Sequence, residues 1–197
     1  MNGVDFTSKG AAYRSQRGIR RSFQSLELFE DLTVLENIRS GIKEVGRWSF
    51  FTDLFYPRQK ELTSTAVTAI REFGLEDKLN MLPTDLSYGQ RRLVAIARAV
   101  ASGPSILLLD EPAAGLDETE SQELARLIRR LADERGMGIL LVEHDVAMVM
   151  STCDRVVVID FGRKIADGVP DQVRENPEVI AAYLGEQHQE EVEVSGE

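Results

Sequence analysis

Leu86-Ser87-Tyr88-Gly89-Gln90, followed further on by Ile106-Leu107-Leu108-Leu109-Asp110-Glu111, decides how this chain is read. The second run is four apolar residues and then two carboxylates, bounded in front by Pro104, and predicts a strand over 106–109 buried on both faces. Such a strand carries Asp110 to the carboxyl edge of a parallel sheet, where open α/β folds bind their ligands. Glu111 beside it has the chemistry to orient a water or take its proton; alone, the pair reads equally as a solvated strand end. In the first run, Ser87 stands before an Ala-rich segment, 89–101, predicted to be a helix. It reads either as an ordinary N-cap or, with the Gly89 amide and the helix N-terminus, as a set of donors for a phosphate.

Outward from these runs, Leu124, Leu127, Ile128 and Leu131 fall on one side of a helix predicted over 118–134, and 138–143 predicts a strand. Strand, helix, strand implies a parallel sheet with a right-handed crossover. Arg155 to Asp160 predicts a further strand, turning at Phe161-Gly162 into 163–167. A helix is expected from Pro170, and after Asn176-Pro177 a last one over 178–184. From Glu186 the chain is an acidic tail expected to be disordered. Toward the N-terminus, Thr33 with Glu36 has the spacing of a capping box, for a helix over 34–44. Leu62, Ala66, Ala69, Ile70 and Phe73 mark a second over 58–74, stopped by Gly74. Residues 4–23 show little apolar periodicity and predict a loop or short edge structure leading to a strand of at most four or five residues in the run from Ile19 to Gln24. The aromatic cluster from Trp48 to Tyr56 reads as packing between the two helices or as a groove for a helix of a membrane partner.

Composition narrows the function classes. A formal charge of -10 and a pI near 4.8 exclude a nucleic-acid surface, and the basic stretch Arg14 to Arg21 is too sparse to reverse that. Cys153 is the one cysteine, so no internal disulfide forms; it reads as a small buried hydrophobe and suits a reducing cytoplasm. No apolar run reaches the roughly 18 residues of a bilayer span, so membrane association is expected to come through a partner. The 197 residues suffice for one domain with a sizeable core, or for a core with a small subdomain.

Continued through Pro112-Ala113-Ala114-Gly115-Leu116-Asp117, the second run resembles the Walker B and D-loop of ABC ATPases. Leu86 to Gln90, followed by Arg91-Arg92-Leu93-Val94-Ala95-Ile96-Ala97-Arg98-Ala99, resembles their L-S-G-G-Q signature, with Tyr88 replacing the first of its two glycines. His144, in Val142-Glu143-His144-Asp145, resembles the switch histidine, and Gln24 after Phe23 resembles the Q-loop glutamine. Leu32-Thr33-Val34-Leu35-Glu36-Asn37, Ala113 to Leu116 and Val179 to Gly185 look like ATP-binding subunits of branched-chain amino acid importers.

The resemblance implies an α/β, P-loop NTPase-like fold, a mostly parallel sheet with helices on both faces plus a helical signature subdomain. It implies ATP and Mg2+ as cofactors, with Asp110 and Gln24 at the metal and Glu111 and His144 as the catalytic pair. Gln24, Ser87, Tyr88, Gly89, Gln90 and Asp117 are the implied nucleotide-binding residues. The implied partners are a second ABC ATPase subunit in a nucleotide-sandwich dimer, membrane permease subunits and, indirectly, a substrate-binding protein, with no nucleic acid. The implied location is cytoplasmic, on the inner face of the membrane through the permease. DNA-repair and ribosome-associated ABC proteins are disfavoured by the acidic balance, the absent coiled-coil insertion and the lack of a second cassette.

One motif is missing from the sequence, the G-x-x-x-x-G-K-S/T loop that cradles phosphates; Gly3, Lys9 and Gly10 come nearest, and Lys9-Gly10 is in the wrong order. The chain is therefore expected to begin downstream of that loop, with the N-terminal part of the core absent. On this reading 1–28 are a remnant of the ATPase core ending in the Q-loop, and 29–100 a helical subdomain with the signature. Residues 101–185 are core with Walker B, D-loop and switch histidine, and 186–197 the tail. The loss is expected to expose a sheet edge beside strand 106–110 and to leave the chain alone a poor binder of ATP. Two functions fit, the C-terminal portion of an importer ATPase or a non-catalytic subunit lending Ser87 and Gly89 to a complete partner's ATP.

Overall fold

A computed structural model describes residues 3, 5–22, 26–42 and 62–182. Gln24, the aromatic cluster from Trp48 to Tyr56 and the tail from Glu186 lie outside them. The chain divides into two compact units, 1–143 and 144–197.

The first unit is built on a parallel sheet in the order β1 (Ile19–Ser22), β2 (Ile106–Asp110), β3 (Gly138–Val142). The register sets Ile19 beside Ile106 and Ile106 beside Gly138, and runs to Asp110 beside Val142. β2 alternates: Leu107 (0% exposed) and Leu109 (1%) are buried, while Ile106, Leu108 and Asp110 are half-buried. The expectation of burial on both faces is therefore corrected to one buried face and one half-covered. The exposed edge expected beside 106–110 is also corrected, because β1 and β3 pair both sides of β2. Among the described residues β1 and β3 each have a strand on one side only, and on β3 Leu140 and Val142 are 59% and 53% exposed.

The helices follow their apolar faces. α1 (Ala11–Gln16) was not foreseen, because none of its residues is buried and periodicity had nothing to register. Local ring contacts accompany it, with Phe6 and Lys9 on Tyr13. α2 (Val34–Gly41) starts at the expected capping box, where Thr33 and Glu36 bond reciprocally. It ends before 44 because its C-cap Ile42 turns to an extended conformation, φ -77° and ψ 117°, just after Gly41, where a Cβ would lie 2.1 Å from the Arg98 carbonyl oxygen. α3 (Ser64–Glu72) begins at its N-cap Thr63 rather than at 58, and residues 58–61 are outside the described set. Gly74, at φ 61°, supplies the stop. α4 (Tyr88–Val100) buries Val94, Ile96, Ala97 and Val100, and α5 (Glu118–Arg135) buries the four residues its period predicted and ends in left-handed Gly136.

In the second unit α6 (Val146–Thr152) fills a stretch where the sequence reading placed no element. β4 (Val156–Asp160) and β5 (Arg163–Gly168) form the expected hairpin, whose two turn residues, Phe161 at φ 42° and Gly162 at φ 77°, have the positive φ of a tight primed turn. α7 (Pro170–Arg174) follows, and the last helix is described over 177–182. Val156, Ala166 and Val173 form the core here, with Cys153 packed against it as a small hydrophobe.

Candidate functional site

β2 delivers Asp110 to the carboxyl end of the sheet, where its Oδ2 accepts from Arg21 Nη2 of β1 at 2.5 Å. Glu111 leaves the strand at φ 45°, a left-handed conformation that costs a non-glycine residue about 1 kcal/mol or more. Its N–H donates to the Val142 carbonyl at 2.8 Å, and its own carbonyl accepts from Ala114 N–H at 3.2 Å. Ala113 N–H donates to the Glu143 carboxylate at 2.8 Å. A carboxylate just beyond β3 thus holds the turn after β2. The sequence reading gave Glu143 no role, although its place directly before His144 was a usable signal.

Ser87 is the N-cap of α4: its Oγ accepts from Gln90 N–H at 3.2 Å while Gln90 Oε1 accepts from Ser87 N–H at 3.1 Å. The capping reading is therefore realised, and it leaves the serine O–H as a donor, so the phosphate reading survives beside it. Asp117 caps α5 in the same way, accepting from Glu120 N–H at 2.8 Å. The two helix starts meet. A Cβ on Gly89 would lie 2.4 Å from Glu120 Oε1, and one on Gly115, at φ 78°, would lie 2.8 Å from the Tyr88 ring. Behind them Arg92, 1% exposed, donates to Tyr88 Oη at 3.0 Å and to the Ala114 carbonyl at 3.3 Å.

Ser87, Tyr88, Gly89, Gln90 and Asp117 are thus brought into one cluster, joined through Ala113 and Ala114 to Asp110 and Glu111. His144 is exposed and opens the second unit, directly before Asp145, the N-cap of α6. Gln24 lies outside the described residues. The sequence shows Arg21 only as part of a basic stretch and Arg92 only as part of the run after the signature; their separate partners follow from strand register and helix contact, which a sequence does not display.

The surface mixes signs. Two helix N-termini favour anions, yet Asp110, Glu111, Asp117, Glu120 and Glu143 outnumber Arg21, with Arg92 buried behind them. A polyphosphate reaches such a surface only with a cation in company. Among the described residues no three His, Cys, Asp or Glu side chains converge as a metal cage. Mg2+ keeps most positions for water and phosphate oxygens and asks for one or two carboxylates, a demand that Asp110 fits. Among the same residues no helix is long and apolar enough to cross a membrane.

A family profile described as ABC transporter matches residues 1–114, and one described as branched-chain amino acid ATP-binding cassette transporter matches 163–189. The high-affinity branched-chain amino acid transport ATP-binding protein LivG of Escherichia coli is 40% identical over 177 residues, spanning 87% of this chain and 69% of LivG. The corresponding protein BraF of Pseudomonas aeruginosa is also 40% identical, over the same shares of each chain. An ATP-binding cassette of an ABC transporter, solved in its ADP conformation, matches with a TM-score of 0.76 at 28% identity, over 92% of this chain and 74% of that one.

Proposed function

The chain belongs to the ATP-binding proteins of ABC transporters, and from that premise we propose that it serves an importer of branched-chain or other hydrophobic amino acids. The relatives' transport of branched-chain amino acids and the match over 163–189 support the substrate class. One observation carries the site assignment: the chain presents both halves, the signature turn at the start of α4 and Asp110 with Glu111 at the end of β2, held together by Tyr88 on Gly115 and by Gly89 on Glu120 of α5, and in a sandwich dimer each half serves a different nucleotide.

In this reading Asp110, with Gln24, holds Mg2+, whose charge neutralises the phosphates. Glu111 orients the attacking water and takes its proton, and His144 meets the γ-phosphate. Ser87 O–H, Gly89 N–H and the start of α4 donate to a phosphate, with Tyr88 and Gln90 shaping that turn and Asp117 holding the neighbouring one. The second ATPase subunit completes the nucleotide sandwich, and permease subunits hold both at the cytoplasmic face of the membrane and receive substrate from a binding protein. The division into core remnant, helical signature subdomain, core and tail belongs to the same reading.

The 197 residues hold no phosphate loop, so we assign this chain the Walker B share of one nucleotide site and the signature share of the other, with weak ATP binding by itself. A second reading is a non-catalytic subunit that lends its signature to a complete partner; it is supported by a signature turn whose capping bonds form within this chain although the 197 residues hold no phosphate loop. Calorimetry with Mg-ATP tests both. The expected result is weak binding by the chain alone, and binding with a full-length homologous subunit that exceeds what that subunit shows by itself. Tight binding by the chain alone overturns the first assignment, and no gain over the partner alone overturns the second.

A further inference from the structure

Arg92 is the largest fully buried side chain in the protein's described part, and it carries a charge. Burying a guanidinium is costly unless its donors are used. Here Nη2 reaches both Tyr88 Oη one helical turn back and the Ala114 carbonyl in the turn after β2, while the buried Nε makes no hydrogen bond among the described residues, and the guanidinium sits 5.6 Å from the Tyr88 ring centroid. The same ring lies so close over Gly115 that a Cβ there would approach it to 2.8 Å. Tyr88 stands where the signature pattern has glycine. A glycine in its place would remove both the phenol that Arg92 engages and the ring that covers Gly115.

We propose that Tyr88 and Arg92 form a latch fixing the signature turn to the turn after β2, with Arg92 a positioning residue for the donors on Ser87 and Gly89. Arg92 is buried, so it acts on a nucleotide only through Tyr88 and Ala114. The latch makes the two turns advance and withdraw together. Its effect on catalysis rests on the reading that the signature turn meets ATP.

The test uses Tyr88→Phe, Arg92→Lys and Arg92→Met in the full chain. Tyr88→Phe deletes one hydrogen bond and keeps the ring, while Arg92→Lys keeps the charge and loses the planar fork. Hydrogen exchange over segment 111–117 is expected to rise about fivefold to tenfold in Tyr88→Phe and in Arg92→Lys, with α2 and α3 unchanged. In the complex with a complete ATPase subunit, kcat is expected to fall by a similar factor while KM for ATP stays within about twofold. Arg92→Lys is expected to retain more activity than Arg92→Met. Unchanged exchange over 111–117 overturns the latch, as does a rise spread evenly through the first unit, which a merely structural role would produce. An inactive wild-type complex overturns the functional reading, and the exchange data then decide the latch by themselves.

Discussion

β2 and β3 lie side by side with nearly the same apolar spelling, Ile106-Leu107-Leu108-Leu109-Asp110 beside Gly138-Ile139-Leu140-Leu141-Val142, yet the first buries Leu107 and Leu109 and the second shows Leu140 and Val142 to water. An apolar run specifies a strand; the strand's place in the sheet decides how much that strand holds together. β2 has a neighbour on each side and covers one face completely. β3 has β2 alone among the described residues and leaves apolar surface uncovered.

Truncation should separate the two strands most sharply. Leu109→Ala is expected to cost about 2–5 kcal/mol, read by urea unfolding, because the space it leaves is closed on all sides. A cost near that of an exposed position would erase the contrast. The turn beyond β2 comes next: Gly115→Ala forces a Cβ onto the Tyr88 ring at a positive φ, for an expected loss of about 1–3 kcal/mol in the same assay. On β3, Leu140→Lys is expected to shift stability by about 0.5 kcal/mol or less and to improve solubility, measured by light scattering. A large loss there would mean that β3 is covered in solution. The smallest effect belongs to the hairpin, where hydrogen bonds from Arg155 and then Lys164 hold the Asp167 carboxyl below its ordinary value. A lowered carboxylate pKa stabilises the folded state fully above the ordinary value of 3.8 and fades as the pH falls below it. Protection of the β4 and β5 amides, measured relative to their intrinsic exchange rate at each pH, should therefore fall on acidification below that point, and Asp167→Asn should remove the dependence.

What the sequence displayed was whatever repeats along the chain. α5 was legible because Leu124, Leu127, Ile128 and Leu131 all face the core, and the hairpin because Phe161-Gly162 follows the apolar run Val156 to Ile159. α1 was not, since a helix that buries nothing has no periodic mark. α6 buries only Met148 and Thr152, and its N-cap Asp145 was the one local signal available. Within the site, the signature serine and the two strand-end carboxylates were visible as a pattern. Arg92 and Glu143 were not, because each acts on a turn far away in sequence, and that distance closes only when α4 packs on the turn after β2 and β3 pairs with β2.

Glu111 at φ 45° has a further consequence for anyone evolving this protein in the laboratory. Glycine or asparagine would relax that backbone, so a library screened for heat resistance alone is expected to enrich such substitutions at position 111. The winners would be sturdier and would lack the carboxylate on which the proposed chemistry turns, so a survival screen and a transport screen should pull this one residue in opposite directions.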